Sequence, residues 1–332
     1  MKKNVLNLVA TALLSMVSLN GMAQVTYFDT NNFLLNYFTS TGSSSYSWYF
    51  EPMKTDVERG QLKGQVTKIV SNITDHTGRG FGTHFTDTTY YNAQGNIIKV
   101  VALKKDEFNP KNKFRPDVYN YQYNEQGKLT NWTLFSETDN MDGHHMTKHV
   151  HDITIDNQGR PTKEDYRAYT QKGNKWEEFS SFNPTRLTFG YDGNGNLISG
   201  KTFFTTYDLT YKNGQIVKMQ PEGDINPITY TYDAAGRLTT FKSYSIDGMD
   251  EAEYYENNVT LTYNEKGNII KAVKTTWDCN SKWVRRKVLD SETFTVTYTY
   301  DPQGNWTKAI VKSKMGKQPS RPAFEIIRAI SY

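Results

Sequence analysis

LTYNEKGNIIK, residues Leu261–Lys271, decides how the chain is read, because near-copies of it recur along most of the sequence. Eight are present: YNAQGNIIK (Tyr91–Lys99), YNEQGKLTN (Tyr123–Asn131), IDNQGRPTK (Ile155–Lys163), YDGNGNLIS (Tyr191–Ser199), YKNGQIVK (Tyr211–Lys218), YDAAGRLTT (Tyr232–Thr240), YNEKGNIIK (Tyr263–Lys271) and YDPQGNWTK (Tyr300–Lys308). The shared spelling is Tyr, Asp or Asn, two variable residues, Gly, a polar residue, an apolar residue, any residue, and often Lys. Repetition at a near-fixed period marks one supersecondary unit copied along a chain.

Each copy follows a segment of two-residue alternation. In Thr293–Tyr300, TFTVTYTY, one face carries Phe294, Val296, Tyr298 and Tyr300 and the other carries threonine. Period two with β-branched and aromatic residues reads as a strand with one buried face. Asp or Asn first and Gly fourth, as in Asp301-Pro302-Gln303-Gly304, suits a type I turn followed by a left-handed residue, the G1-bulge hairpin. Glycine takes φ > 0 there without steric cost. Tyr211-Lys212-Asn213-Gly214-Gln215 is one residue shorter, and its Asn-Gly suits a two-residue type I′ loop.

The consensus glycines stand mostly 31 to 37 residues apart, with two closer intervals around Gly214. That spacing holds two hairpins, and second turns are visible at Asp142-Gly143, Lys172-Gly173-Asn174, Asp247-Gly248 and Asp278-Cys279-Asn280. The expected fold is all-β: repeated β-hairpins in a long antiparallel up-and-down meander of about 15 strands, twisted or coiled, and open or closed. Gly64–Ile69, GQVTKI, reads as the second half of a unit whose first half has eroded, and Ala323–Tyr332 as a last strand.

Three segments divide the chain. Residues 1–23 read as a secretory signal peptide: Lys2 and Lys3, the apolar stretch Val5–Leu19, and Gly21-Met22-Ala23 before the cut. The mature protein is thus expected to be exported after cleavage near Ala23. Residues 24–59 form an N-terminal segment with the Ser-rich linker Ser40–Ser47, and 60–332 the repeat domain. Without Lys2 and Lys3, 37 basic residues face 35 acidic ones with no long runs, which argues against nucleic acid as a partner. No further stretch is apolar and long enough for a transmembrane helix. Cys279 is the only cysteine, so no internal disulfide is available, and its setting beside Asp278 and Asn280 reads as incidental.

The Tyr-Asp-x-x-Gly-polar-apolar spelling resembles the YD repeat of RHS-type proteins, and the ending YDPQGNWTK with IIRAISY is similar to that of secreted bacterial YD-repeat proteins. The resemblance covers about Gly60 to Tyr332 and implies a continuous β-hairpin strip. In large RHS proteins and toxin complexes such strips form a shell around a toxic domain. This chain has far fewer repeats and no domain after the last one, so the shell function is not carried over.

Motifs for chemistry are weak. Gly195–Thr202, GNLISGKT, matches the P-loop expression, but Gly195 is the turn glycine and a strand is expected where a P-loop needs a helix. Asp192–Asn196, DGNGN, starts like a Ca²⁺ loop but has Leu197 sixth and Phe203 twelfth. His144, His145, His149 and His151 cluster in HHMTKHVHD, with His149 and His151 on one strand face. They read as structural or surface residues, with metal binding left open, and Ile153 and Ile155 share their face. Glu177-Glu178 and Asp250-Glu251 fall at turns or edges, and no catalytic residue, cofactor site or metal site is assigned. The reading is an exported non-catalytic repeat protein with a structural or binding role at the cell envelope toward a protein or glycan. The alternative is a carbohydrate-binding module using exposed Tyr and Trp, Trp132 and Trp306 among them. A third is an outer-membrane barrel, against which Lys99, Lys218, Lys271 and Lys308 are read on the same face as Ile97, Ile216, Ile269 and Trp306, and Arg328 on that of Ile326.

Overall fold

The computed structural model describes Leu34 and residues 62–77, 84–105, 116–140, 143–179, 185–202, 206–212, 215–223, 226–247 and 253–332. The leader, the Ser-rich linker, Asp142, Asn213-Gly214, Gly248 and Asp250-Glu251 lie outside these residues.

The repeats form nineteen antiparallel strands. The chain enters on β1 (Lys68–Asp75). The eight consensus hairpins follow: β2 (His84–Tyr91) with β3 (Ile97–Lys105), β4 (Asp117–Tyr123) with β5 (Leu129–Asn140), and β6 (Gly143–Ile155) with β7 (Pro161–Lys172). After the short β8 (Lys175–Glu178) come β9 (Thr185–Tyr191) with β10 (Leu197–Thr202), and β11 (Thr206–Lys212) with β12 (Gln215–Pro221). The last three are β13 (Ile228–Tyr232) with β14 (Leu238–Asp247), β15 (Glu253–Tyr263) with β16 (Ile269–Cys279), and β17 (Arg285–Tyr300) with β18 (Trp306–Met315). The chain ends on β19 (Arg321–Ser331).

Each strand except β8 pairs with the next, and β19 pairs with β1, so the meander closes into a barrel. Strand β8 pairs with Tyr169–Lys172 of β7 and β9 with Lys163–Asp165, so the two share one place and the ring counts eighteen. The strand number exceeds the sequence expectation because the two closer intervals around Gly214 also hold two strands each, and because closure recruits β1.

Closure has a specific form. Gly64 has φ +79°, like the consensus glycines, and is followed by buried Val66 and Ile69. It is the return half of a unit. Its outgoing half is β19, and the ring of Tyr332, the residue that follows it, lies 3.3 Å from where a Cβ on Gly64 would stand. Ser331 pairs with Lys68, and Thr67 N donates to Ser331 O at 2.9 Å. The ninth hairpin is thus split between the two ends of the repeat region, and with the eight intact ones it supplies all eighteen strands.

The consensus turns that start at Asn92, Asn124, Asp156, Asp192, Asp233 and Asn264 repeat one bond set. Asn264 N donates to Asn268 O, Gly267 N donates to Asn264 O, and Asn264 Oδ1 accepts from Lys266 N and Asn268 N, all at 2.9–3.0 Å. Gly267 has φ +83°. The ladder then slips by one: Tyr263 faces Ile269 but Thr262 faces Lys271, leaving Ile270 as the bulged residue. A bulge reverses the inward–outward alternation after it. Ile269 and Ala272 are therefore both buried and Lys271 is exposed. The same slip sets Lys99 outward between Ile97 and Val100, Lys218 between Ile216 and Met219, and Lys308 between Trp306 and Ala309. This corrects the placement of these lysines on the core face; simple alternation omits the extra residue. Arg328 does lie on the inner face, 3% exposed, with its guanidinium 3.9 Å from the Trp306 ring centre.

The tyrosines are more than filler. Tyr123 OH donates to Ile97 O (2.7 Å), Tyr191 OH to Pro161 O (2.6 Å) and Tyr263 OH to Leu238 O (2.7 Å). Each reaches the carbonyl beside the bulge of the preceding hairpin. In the last unit Tyr298 does this toward Ile269 O (2.8 Å). Basic residues of one turn also lie over the next tyrosine: Arg160 over Tyr191, Arg237 over Tyr263, Lys266 over Tyr300, at 4.4–4.9 Å. One rim of the barrel is thereby tied turn to turn.

The apolar face is the inner one. Phe241, Val259, Ala272, Phe294, Ala309, Val311, Ala323 and Ile326 have no exposed surface, whereas Thr295, Thr297, Thr299, Lys312 and Lys314 on the opposite face are exposed or half-exposed. Burial of one such Val or Phe side chain contributes about 1.5–3 kcal/mol. One core cluster runs through β1, β2 and β10 to β19, with helical Leu34 packed into it, and a second through β1 to β5. Along those arcs the interior is filled by side chains.

Candidate functional site

Two places stand apart from the repetitive frame. The first is the inner wall of β4 to β7, where polar rings replace aliphatic side chains. The pairing register puts Tyr121, Trp132, His151 and Tyr166 directly opposite one another across four strands. The neighbouring row is Tyr119, Leu134, His149 and Ala168. Trp132 and His151 stack with ring centres 3.5 Å apart, and His151 Nδ1 meets Glu164 Oε1 at 2.6 Å. Both members of that His–Glu pair are at most 2% exposed. A carboxylate so buried costs several kcal/mol unless partnered, and here the imidazole supplies the partner. His149 Nδ1 meets Tyr166 OH at 2.7 Å, and burial holds the His149 pKa below its ordinary value.

His149 and His151 thus share the inner face, as the alternation requires, and each commits one ring nitrogen to a neighbour. His145 lies farther along the same face, and His144 Nε2 is 3.7 Å from Glu137. Among the described residues no three His, Cys, Asp or Glu side chains gather as metal ligands. Asp152 points outward to Arg167 and Asn131. Gly195 is the turn glycine, and Leu197–Thr202 is β10, so the P-loop expression falls on a hairpin; Asp192 organises that same turn. Glu177 and Glu178 are exposed on β8. Trp132 (2%) and Trp306 (6%) point into the core, so these two rings are not a sugar platform.

The second place is the opposite rim, where hairpins vary in length. Strands β14 to β17 extend beyond their shorter neighbours β9 to β13. The turn between β16 and β17, Asn280-Ser281-Lys282-Trp283-Val284, has the consensus bond set: Trp283 N donates to Asn280 O (2.8 Å), and Asn280 Oδ1 accepts from Lys282 N (2.9 Å) and Val284 N (3.0 Å). Trp283 stands where the consensus has glycine. Its φ is +61°, and among the described residues no other non-glycine has φ > 0. An L side chain there costs about 1–2 kcal/mol. The indole recovers contact by packing edge-on against Tyr244 (5.1 Å) and Tyr254 (5.2 Å) on the outer wall. Beside it Glu256, 4% exposed, accepts from both Nε and Nη2 of Arg285, whose guanidinium also covers the Trp277 ring at 4.7 Å.

On the inner side of the same extension is a hollow of about 430 Å³, walled by Glu253, Tyr255, Asp278, Arg286, Lys287 and Leu289. Tyr255 OH donates to Glu253 Oε2. Cys279 also borders the hollow, but the residue is only 2% exposed and burial pushes its pKa up, which is the setting of an inert cysteine. The sequence places this turn at Asp278-Cys279-Asn280, but β16 runs to Cys279 and the turn spans Asn280–Val284; the spelling Asn-x-x-Trp against Asn-x-x-Gly is the signal for both its position and its Trp-for-Gly exchange.

The sequence matches no family model and no curated protein. Among solved structures the chain is similar to a porin-like protein from Bacteroides uniformis ATCC 8492, at 12% identity, over 81% of this chain and 99% of that one, with a TM-score of 0.30. At that score the likeness carries no argument about function.

Proposed function

We propose that the protein is an exported, non-catalytic barrel that binds a protein or glycan of the cell envelope through its variable rim. The observation that carries this reading is the asymmetry of the two rims. The consensus rim is largely spent on itself, with hydrogen bonds running from one hairpin to the next at most of its turns, while the opposite rim carries long hairpins, a strained tryptophan and a charged hollow. The YD-type resemblance accounts for the hairpin unit and leaves the rim to set the partner.

A second reading is a barrel inserted in the outer membrane, favoured by closure and an even strand number. Weighing toward the first is the chemistry of the outer wall. Lys308, Lys312 and Lys314 are spread over about 20 Å along β18, and Lys163, Asp165 and Arg167 line the outer face of β7. A lysine or arginine facing lipid at mid-depth costs about 2–4 kcal/mol.

The test uses the mature chain from Gln24. It is expected to remain in a detergent-free soluble fraction and to retain an envelope protein or glycan. That retention is expected to be lost when Asn280–Val284 is rewritten as Asn-Glu-Lys-Gly-Asn. Partition into detergent would favour the membrane reading, and failure to retain any envelope component would remove the binding one.

A further inference from the structure

We propose that the hollow inside the β15–β17 extension is a subsite for a neutral oligosaccharide, held in shape by Trp283. The proposal rests on the rim-binding reading and names its ligand class. The hollow is of the size that takes one small ligand or a few sugar rings, about 300–1,000 Å³.

Its walls offer both hydrogen-bonding polarities. Glu253 and Asp278 supply acceptors, and Arg286 and Lys287 supply donors; Asp278 and Lys287 face each other across the ladder between β16 and β17. Two acids and two bases give no net charge, which disfavours a polyanion or a metal cation. A sugar hydroxyl both donates and accepts, so a ring bearing several of them matches such a mixed lining. Tyr255 and Leu289 add an aromatic and an aliphatic surface for the C–H face of a pyranose.

Trp283 is the independent observation. Strained residues cluster at ligand clamps, where the surrounding structure holds them in place. Ser281 of the Trp283 turn borders the hollow, and the indole wedge between Tyr244 and Tyr254 ties that turn to β14 and β15. A glycine there would satisfy the turn but release that wedge.

The experiment is an array of neutral gluco-, xylo-, manno- and galacto-hexasaccharides, followed by calorimetric titration of any binder with the mature chain. At least one hexasaccharide is expected to bind. Asp278→Asn combined with Lys287→Met should weaken it about tenfold or more, the loss of a charge-assisted hydrogen bond. Trp283→Gly should weaken binding and speed release, while its melting temperature stays within about 4 °C of wild type. A merely structural tryptophan would move the melting temperature and leave affinity unchanged. Exposed Arg286→Ala provides a variant whose folding is not at issue, and it too should bind more weakly. Absence of binding by every hexasaccharide, or equal binding by wild type and variants, overturns the proposal. If wild type still retains an envelope protein while binding no glycan, the subsite falls and the rim-binding reading stands; if it retains nothing, both fall.

Discussion

At the scale of single residues, the consensus tyrosine is the side chain whose role the fold redefines. Its ring fills the inner face, which phenylalanine would do as well, but its hydroxyl bonds the carbonyl beside the preceding bulge. Tyr263→Phe should therefore lower stability by about 0.5–1.5 kcal/mol, the net value of one hydrogen bond. Denaturant unfolding with an unchanged m-value would show it. His149 gives a second residue-level outcome. Its folded pKa lies below the ordinary 6.5, so the unfolded chain takes up the proton more readily. Its contribution to stability is complete above about pH 6.5 and is lost as pH falls from there toward the folded pKa. Asp233, whose pKa is held below its ordinary 3.8 by bonds from Arg237, acts only in a more acidic window. Unfolding free energy should fall between pH 7 and 5, and His149→Gln should flatten that slope; an equal slope in the variant would assign the loss elsewhere.

At the scale of the hairpin, the turn, its glycine and the buried stripe were legible before any coordinates, because each residue has a local backbone reason. The lysines were misread because the bulge inserts one residue and flips the face, a consequence of ladder geometry rather than of composition. The two readings predict different energetics. Asn264 organises its turn through Oδ1 and also donates to Tyr300 OH at 2.9 Å, so Asn264→Ala should cost about 1–2 kcal/mol. Lys271 stands on the exposed wall, so Lys271→Ala should stay within about 0.5 kcal/mol. Side-by-side melts of the two variants check this, and a Lys271 effect as large as that of Asn264 would return the lysine to a structural role. The Trp283 rim was less legible for the opposite reason. It breaks the local rule, and what compensates, Tyr244 and Tyr254, is distant in sequence and visible only once the strands are paired.

At the scale of the whole molecule, closure turns a tandem array into a ring, and the split ninth hairpin is how this is done. The sequence held both halves, Gly64–Ile69 and the terminal strand, but nothing local says that they belong together. Their union depends on the number of units and on the sheet twist that brings the first and last strands side by side. Further contacts hold the join: Lys63 N donates to Asn305 Oδ1, Asn305 Nδ2 donates to Lys63 O, and Tyr332 OH donates to Asp301. If the halves make one unit, covalent order should be exchangeable. Joining Tyr332 to Leu62 through a single asparagine writes Tyr-Asn-Leu-Lys-Gly, the consensus spelling, and the chain can then be opened between Glu125 and Gln126 in an exposed turn. Such a permutant should fold to the same all-β circular dichroism spectrum as linear 62–332. Its stability should lie within about 2 kcal/mol, since loop-closure entropy changes slowly with loop length. Deleting Ala323–Tyr332 from the linear chain should instead abolish cooperative unfolding, because it leaves β1 and β18 without their shared partner and opens two sheet edges. A permutant that fails to fold where linear 62–332 succeeds would mean that the terminal strands are joined by packing alone and do not form a hairpin unit.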